Sequence, residues 1–147
     1  MDAILRRPGE GEALEVGPAH TLLKATADTT GGLFTLSEST LPSSSPGPPL
    51  HTHERMHDNF YVLEGTLTLH VRDGTVEAPA GTFASLPPGV AHTFSNPSGA
   101  PVRFLNLNAP GGFDVYLRQL AAALSADEPP DASAITKLFA EHDVHPV

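Results

Sequence analysis

The sequence predicts an all-β fold, a barrel or sandwich of short antiparallel strands that ends in a short two-helix tail. Three observations predict it. Short runs of strand-like residues recur at even spacing, each bounded by Gly, Pro, Asn or Asp. Pro (15) and Gly (13) are numerous for 147 residues, which suits many turns better than long helices. Helical spacing of apolar residues begins only after Gly112.

In chain order, residues 1–12 are polar and read as a loosely held arm. Residues 14–16 and 22–27 read as strands either side of Gly17-Pro18, and Gly31-Gly32 as a turn. Residues 33–41 alternate, with Leu33, Thr35 and Ser37 against Phe34, Leu36 and Glu38, the pattern of a half-buried strand. Residues 42–49 form the clearest loop, because their prolines cannot donate ladder hydrogen bonds. This loop delivers His51 and is placed to form a rim. Strands at 59–63 and 66–72 flank Gly65, and Asp73-Gly74 is a strong hairpin signal leading into 75–78. Residues 79–81 turn the chain, and strands at 82–86, 93–96 and 102–108 complete the series. After the break at 109–112, Phe113, Tyr116, Leu117, Leu120 and Leu124 make one helical stripe over 113–125. Residues 126–130 link to a second short helix, capped by Asp131 or Ser133 and carrying Ile135, Leu138 and Phe139. The expected organisation is a barrel domain over 1–110 with a helical tail over 111–147 packed on it.

Composition excludes several function classes. The net charge is −9, and the 8 basic residues are scattered, which argues against a nucleic-acid partner. The absence of cysteine rules out disulfides and thiolate-ligated metals. No apolar run reaches the roughly 18 residues of a membrane span, and the N-terminal stretch lacks the apolar run of a signal peptide. The expectation is a soluble, cytoplasmic protein with no membrane partner. No serine-nucleophile motif, phosphate loop or dinucleotide fingerprint is present.

The chemistry concentrates in two stretches. In the first, His51 and His53 are two residues apart, so on extended backbone they face the same way. On the strand that follows, Asp58, Phe60 and Val62 share one face, and His57 and Asn59 the other. In the second stretch, Pro87 and Gly89 mark a tight turn and His92 opens the next strand, with Phe94 on its face. Imidazoles and a carboxylate converging on one point suit a transition-metal ion.

The two stretches together resemble the paired motifs of the cupin superfamily. The second matches its pattern at Gly81, Pro87, Gly89, His92 and Asn96. The first matches at His51, His53 and Gly65, but has Asp58 where the family usually has Glu, and Ser45 where the family has Gly, with Gly47 nearby. Each motif occurs once, as in a small single-domain cupin, and the tail layout resembles cupins related to quercetin 2,3-dioxygenase. The resemblance implies a double-stranded β-helix (jelly-roll) barrel, with His51, His53 and His92 as ligands of one divalent transition metal per chain: Fe, Mn, Ni, Cu, Co or Zn. Asp58 is then a fourth ligand, a water-mediated partner, or the general base that takes a substrate hydroxyl proton; His57 is a substitute candidate on the opposite face. Phe60, Val62, Phe83 and Phe94 are candidates for the lining of a substrate pocket as well as for the core. The resemblance further implies a homodimer and a small phenolic or enolic substrate, acted on by a dioxygenase. An isomerase or cyclase with the same metal, or a non-enzymatic binding cupin, are the alternatives.

Overall fold

Along strand β5 (His57–Glu64), Asp58, Phe60 and Val62 are buried while His57 and Tyr61 are exposed. This is the two-residue period of a strand with one face in the core, and it is the predicted parity. The computed structural model describes residues 1–72 and 74–147; Asp73, half of the expected hairpin signal, lies outside the described residues. The other strands are β1 (Glu12–Val16), β2 (Ala19–Ala25), β3 (Thr35–Leu41), β4 (His51–Thr52), β6 (Thr66–Val71), β7 (Gly74–Pro79), β8 (Phe83–Leu86), β9 (His92–Ser95), β10 (Val102–Ala109) and β11 (His145–Pro146). The helices are α1 (Ala27–Thr30), α2 (Phe113–Leu124) and α3 (Ala132–Glu141).

The strands form two antiparallel sheets, in the orders β1-β2-β3-β10-β5-β8 and β11-β4-β9-β6-β7. Their inner faces share a core of Leu41, Phe60, Val62, Leu67, Leu69, Leu86, Val102 and Phe104. Each such side chain contributes about 1.5–3 kcal/mol on leaving water, so this end of the double-sheet jelly roll is its stable base. Phe60, Phe94 and Phe104 close the core toward the other end, with ring centroids 5.4–5.9 Å apart.

Three elements differ from the sequence reading. The strand expected over 22–27 stops at Ala25, because Thr26 caps the single turn α1, its backbone N–H donating to Thr29 Oγ1 at 2.9 Å. Gly31, at φ 64°, ends that turn, and β3 begins at Thr35 rather than residue 33. The tail is also more than two helices. Its last residues form β11, which pairs with β4, so the chain end joins the sheet beside His51. The tail is anchored through buried Asp114, which accepts from Thr35 Oγ1 (2.9 Å), the Ala27 N–H (3.2 Å) and Arg118 Nη1 (2.9 Å). Asp131 caps α3 by accepting from the Ser133 N–H at 3.1 Å.

Candidate metal centre

His51 and His92 are direct cross-strand partners in the β4–β9 pair, so their side chains emerge side by side. His53 immediately follows β4, and Asp58 comes from β5 in the opposite sheet. The cluster therefore bridges the two sheets at the end of the barrel away from the core. Residues 87–90 set its geometry: Val90 N–H donates to Pro87 O, and Gly89, at φ 85°, occupies the position of a type II turn that requires positive φ. The Gly89 N–H then donates to His53 O at 2.8 Å, tying the turn before His92 to the segment that carries His53.

Each imidazole is oriented by a backbone carbonyl. His51 Nδ1 lies 2.8 Å from Pro49 O, His53 Nδ1 2.7 Å from Asp143 O, and His92 Nδ1 2.8 Å from Val90 O. A carbonyl only accepts, so all three Nδ1 atoms carry hydrogen and all three Nε2 atoms are turned to the centre. The four residues are buried, and one ligand atom from each lies within 4.8 Å of the others, a group that could hold a metal ion. His53 Nε2 is buried with no hydrogen-bond partner. A buried orphan nitrogen among two further imidazoles and a carboxylate is the donor chemistry of a divalent transition-metal site, so the residues fit the implied cofactor.

Electrostatics pull the group apart. Burial dominates at His51 and lowers its pKa to about 4, against the opposing hydrogen bond to Pro49. At His53 burial also lowers the pKa, but the Asp58 carboxylate 3.6 Å away and the Asp143 carbonyl outweigh it, and the net shift is upward. Burial alone would raise Asp58. His53 and His92, the latter with Nε2 2.9 Å from Oδ2, together with Asn106 hold it instead far below the usual carboxylate range. The site thus favours an anionic carboxylate beside the imidazoles, and a bound cation would compete with protons for it.

Above the cluster lies a cavity of about 310 Å³. His51, Asp58 and Asn106 line it together with Thr21, Ser37 and Ser39; Phe94, Phe104, Phe113, Tyr116, Leu120 and Phe139 make most of the wall apolar, and among the described residues no Lys or Arg lines it. Of the four pocket candidates, only Phe94 lines this cavity. Phe60 and Val62 face the inter-sheet core beneath it, and Phe83 is 64% exposed on the edge strand β8. The reason is register: Phe83 pairs with Tyr61, which has outward parity on β5. His57 is exposed, on the opposite face from the cluster.

Sequence reasoning missed three kinds of contribution. Phe113 and Tyr116, read as a plain helix stripe, form the cavity wall, and Phe113 packs edge-on against His53 with centroids 6.0 Å apart. Asn106 and Asn108 both donate to Asp58. Asp143 holds His53 through its carbonyl and the 54–56 loop through its carboxylate. The 42–49 loop, expected as a rim, lines the cavity through Pro46, Gly47, Pro48 and Pro49.

Comparison with known proteins agrees with this architecture. Residues 37–108 match the cupin domain model. A quercetin 2,3-dioxygenase of Bacillus subtilis is 34% identical over 92 residues, 61% of this chain, and the chain spans about a quarter (26%) of that relative's length. Among solved structures, a polyketide cyclase of Streptomyces resistomycificus superposes with TM-score 0.63 at 25% identity, over 74% of this chain and 80% of its own. The KdgF protein of a Halomonas species gives TM-score 0.67 at 14% identity, over 78% and 99%. With the double-sheet fold, the matched model and the histidines in their motif positions, residues 37–108 of this chain form a cupin domain.

Proposed function

We propose that this cupin is a metal-dependent enzyme that acts on a small, uncharged phenolic or enolic compound, as a dioxygenase. The observation that carries the reading is the cluster of three inward Nε2 atoms and one carboxylate, two of whose members, His51 and Asp58, open onto a mostly apolar cavity. Ligand pockets commonly pair an apolar lining with a few convergent polar groups. Among the described residues no Lys or Arg lines the cavity, so away from the metal position it offers no cationic partner to a phosphate or carboxylate. The similarity to quercetin 2,3-dioxygenase supports oxygen chemistry on such a compound.

His51, His53 and His92 would hold the metal, and Asp58 would supply a fourth donor oxygen. The metal, when bound, supplies Lewis acidity and redox chemistry toward O₂ and a chelating hydroxyl. The chain's own part is to bind and orient. Phe113 and Tyr116 offer ring faces to a flat substrate, Asn106 presents a polar group next to the carboxylate, and the Pro-rich loop and α2 shield the reacting end from water.

A second reading keeps the metal and replaces oxygenation by isomerisation or cyclisation. The likeness to the polyketide cyclase, which covers 80% of that chain, favours it. Both are tested on protein prepared without a metal-affinity tag. Near-stoichiometric transition metal by elemental analysis, lost in His92→Ala, is expected. Oxygen uptake on turnover of phenolic and enolic compounds supports the dioxygenase; turnover without uptake transfers the case to the cyclase. Protein that takes up no Fe, Mn, Ni, Cu, Co or Zn overturns both readings and leaves a binding module.

A further inference from the structure

The carboxylate of Asp58 is held from behind. Asn106 and Asn108 occupy alternate positions of β10, so they share a face, and Asn108 is the register partner of Asp58. Asn106 Nδ2 lies 2.6 Å and Asn108 Nδ2 2.8 Å from the same oxygen, Oδ1 of Asp58. Asn106 is itself tied to the Asn59 carbonyl at 3.0 Å. An ionised carboxylate only accepts, so each amide must present nitrogen rather than oxygen to it. The arrangement carries a cost: Asn108 Oδ1 is buried without a partner, and such an orphan is uncommon in native proteins. The other oxygen, Oδ2, is the one that faces the imidazoles, 2.9 Å from His92 Nε2 and 3.6 Å from His53 Nε2.

We propose that Asn106 and Asn108 are positioning residues that make Asp58 a one-oxygen ligand, by engaging Oδ1 together and leaving Oδ2 alone to face the metal position. The pair also offers a reason for aspartate at this place. A shorter side chain reaches less far from its strand, and two donors fixed on the neighbouring strand remove the rotational freedom that would otherwise let Oδ2 turn away. The proposal rests on the reading that the cluster binds a metal. It concerns the orientation of one ligand, and not the reaction.

The test is a double-mutant cycle read by cobalt(II) binding, through the visible absorption of the bound ion and the dissociation constant. The variants are Asn106→Leu plus Asn108→Leu, Asp58→Asn, and the combination. Leucine matches asparagine in shape and donates nothing. In the wild-type background the paired change is expected to weaken cobalt binding by about tenfold or more, the usual effect of losing partners that orient a metal ligand, and to alter the absorption band. In the Asp58→Asn background the same change is expected to have no further effect, because there is no carboxylate left to orient. A merely structural role would weaken binding equally in both backgrounds, and that result overturns the proposal. So does unchanged affinity and an unchanged band in the wild-type background. If Asn108→Leu fails to fold, Asn106→Leu alone carries the cycle, since Asn106 makes the shorter bond. Wild-type protein that binds no cobalt refutes the metal reading itself, which keeps the two failures distinct.

Discussion

Replacing Asp143 by alanine tests how the chain end supports the centre. The Asp143 carboxylate accepts three successive backbone amides, from Glu54 (2.6 Å), Arg55 (3.0 Å) and Met56 (3.1 Å), and lies 3.1 Å from His145 Nε2. Its own carbonyl orients His53. Glu54 and Arg55 are exposed, so water replaces the carboxylate there at small cost; Met56 is buried. Loss of a capping carboxylate costs about 0.5–2 kcal/mol, and one stranded buried amide about 1–3 kcal/mol. Asp143 also sits at φ 61°, which aspartate tolerates better than alanine. The expected loss is therefore about 3 kcal/mol, or about 6–12 °C in Tm for a chain of this size. Calorimetry on metal-free protein reads it. A loss below about 0.5 kcal/mol, the size of an ordinary surface change, would refute the clasp.

The same residue makes a signed pH prediction. Burial would raise the Asp143 pKa, but the amides of Glu54, Arg55 and Met56 and the His145 ring outweigh it, and the carboxyl lies below its ordinary 3.8. A depressed carboxylate contributes stability in full above the unfolded value and loses it as pH falls through the folded one. Wild-type stability should therefore fall below about pH 4 more steeply than that of Asp143→Asn, whose amide does not titrate. Parallel acid profiles would contradict this.

Three further outcomes follow from packing. Gly47→Ala should loosen the centre, because a Cβ there would lie 1.4 Å from Phe94 O; the displaced loop carries Pro49, whose carbonyl holds His51, so weaker metal retention should accompany a loss of about 1–3 kcal/mol. Phe104→Ala should cost about 3–5 kcal/mol in urea denaturation, since Phe104 is buried between Phe60 and Phe94. Phe83→Ser should stay within about 0.5 kcal/mol of wild type and leave ligand binding unchanged, because Phe83 lies outside the cavity; a clear binding defect would restore it to the pocket.

What was legible in the sequence and what was not separates by physical cause. Strand parity is local, so the inward set Asp58, Phe60 and Val62 could be read directly. The Pro-Gly turn before His92 could be read because its positive φ demands glycine. Phe60 and Val62 were open to both readings, core and pocket, because parity tells inward from outward but not core from cavity; that depends on depth along the barrel, which only the packing of Phe94 and Phe104 defines. The displaced glycine also has its cause in packing. Ser45 exchanges backbone hydrogen bonds with Asn96, both 2.9 Å, and needs no special conformation, whereas Gly47 passes against the Phe94 backbone with no room for a side chain. The buried Asn96 then fastens the loop by donating to the carbonyls of Leu41, Pro42 and Ala100.

The residues that support the candidate ligands divide the same way. On β10 the inward positions run Val102, Phe104, Asn106 and Asn108, and a change from apolar to amide on one face signals that the interior has become polar at that depth. A buried amide needs partners, so the parity rule that located Asp58 applies equally to β10 and points to the asparagine pair beside it. Asp143 offers no such signal. It reaches His53 through a backbone carbonyl, an acceptor every residue has, across 90 positions of chain. Its place is set by β11 pairing with β4, a two-residue strand too short to leave a periodicity. The orientation of the clustered imidazoles and carboxylate is thus written partly in side-chain pattern, where it can be read, and partly in long-range backbone pairing, where it cannot.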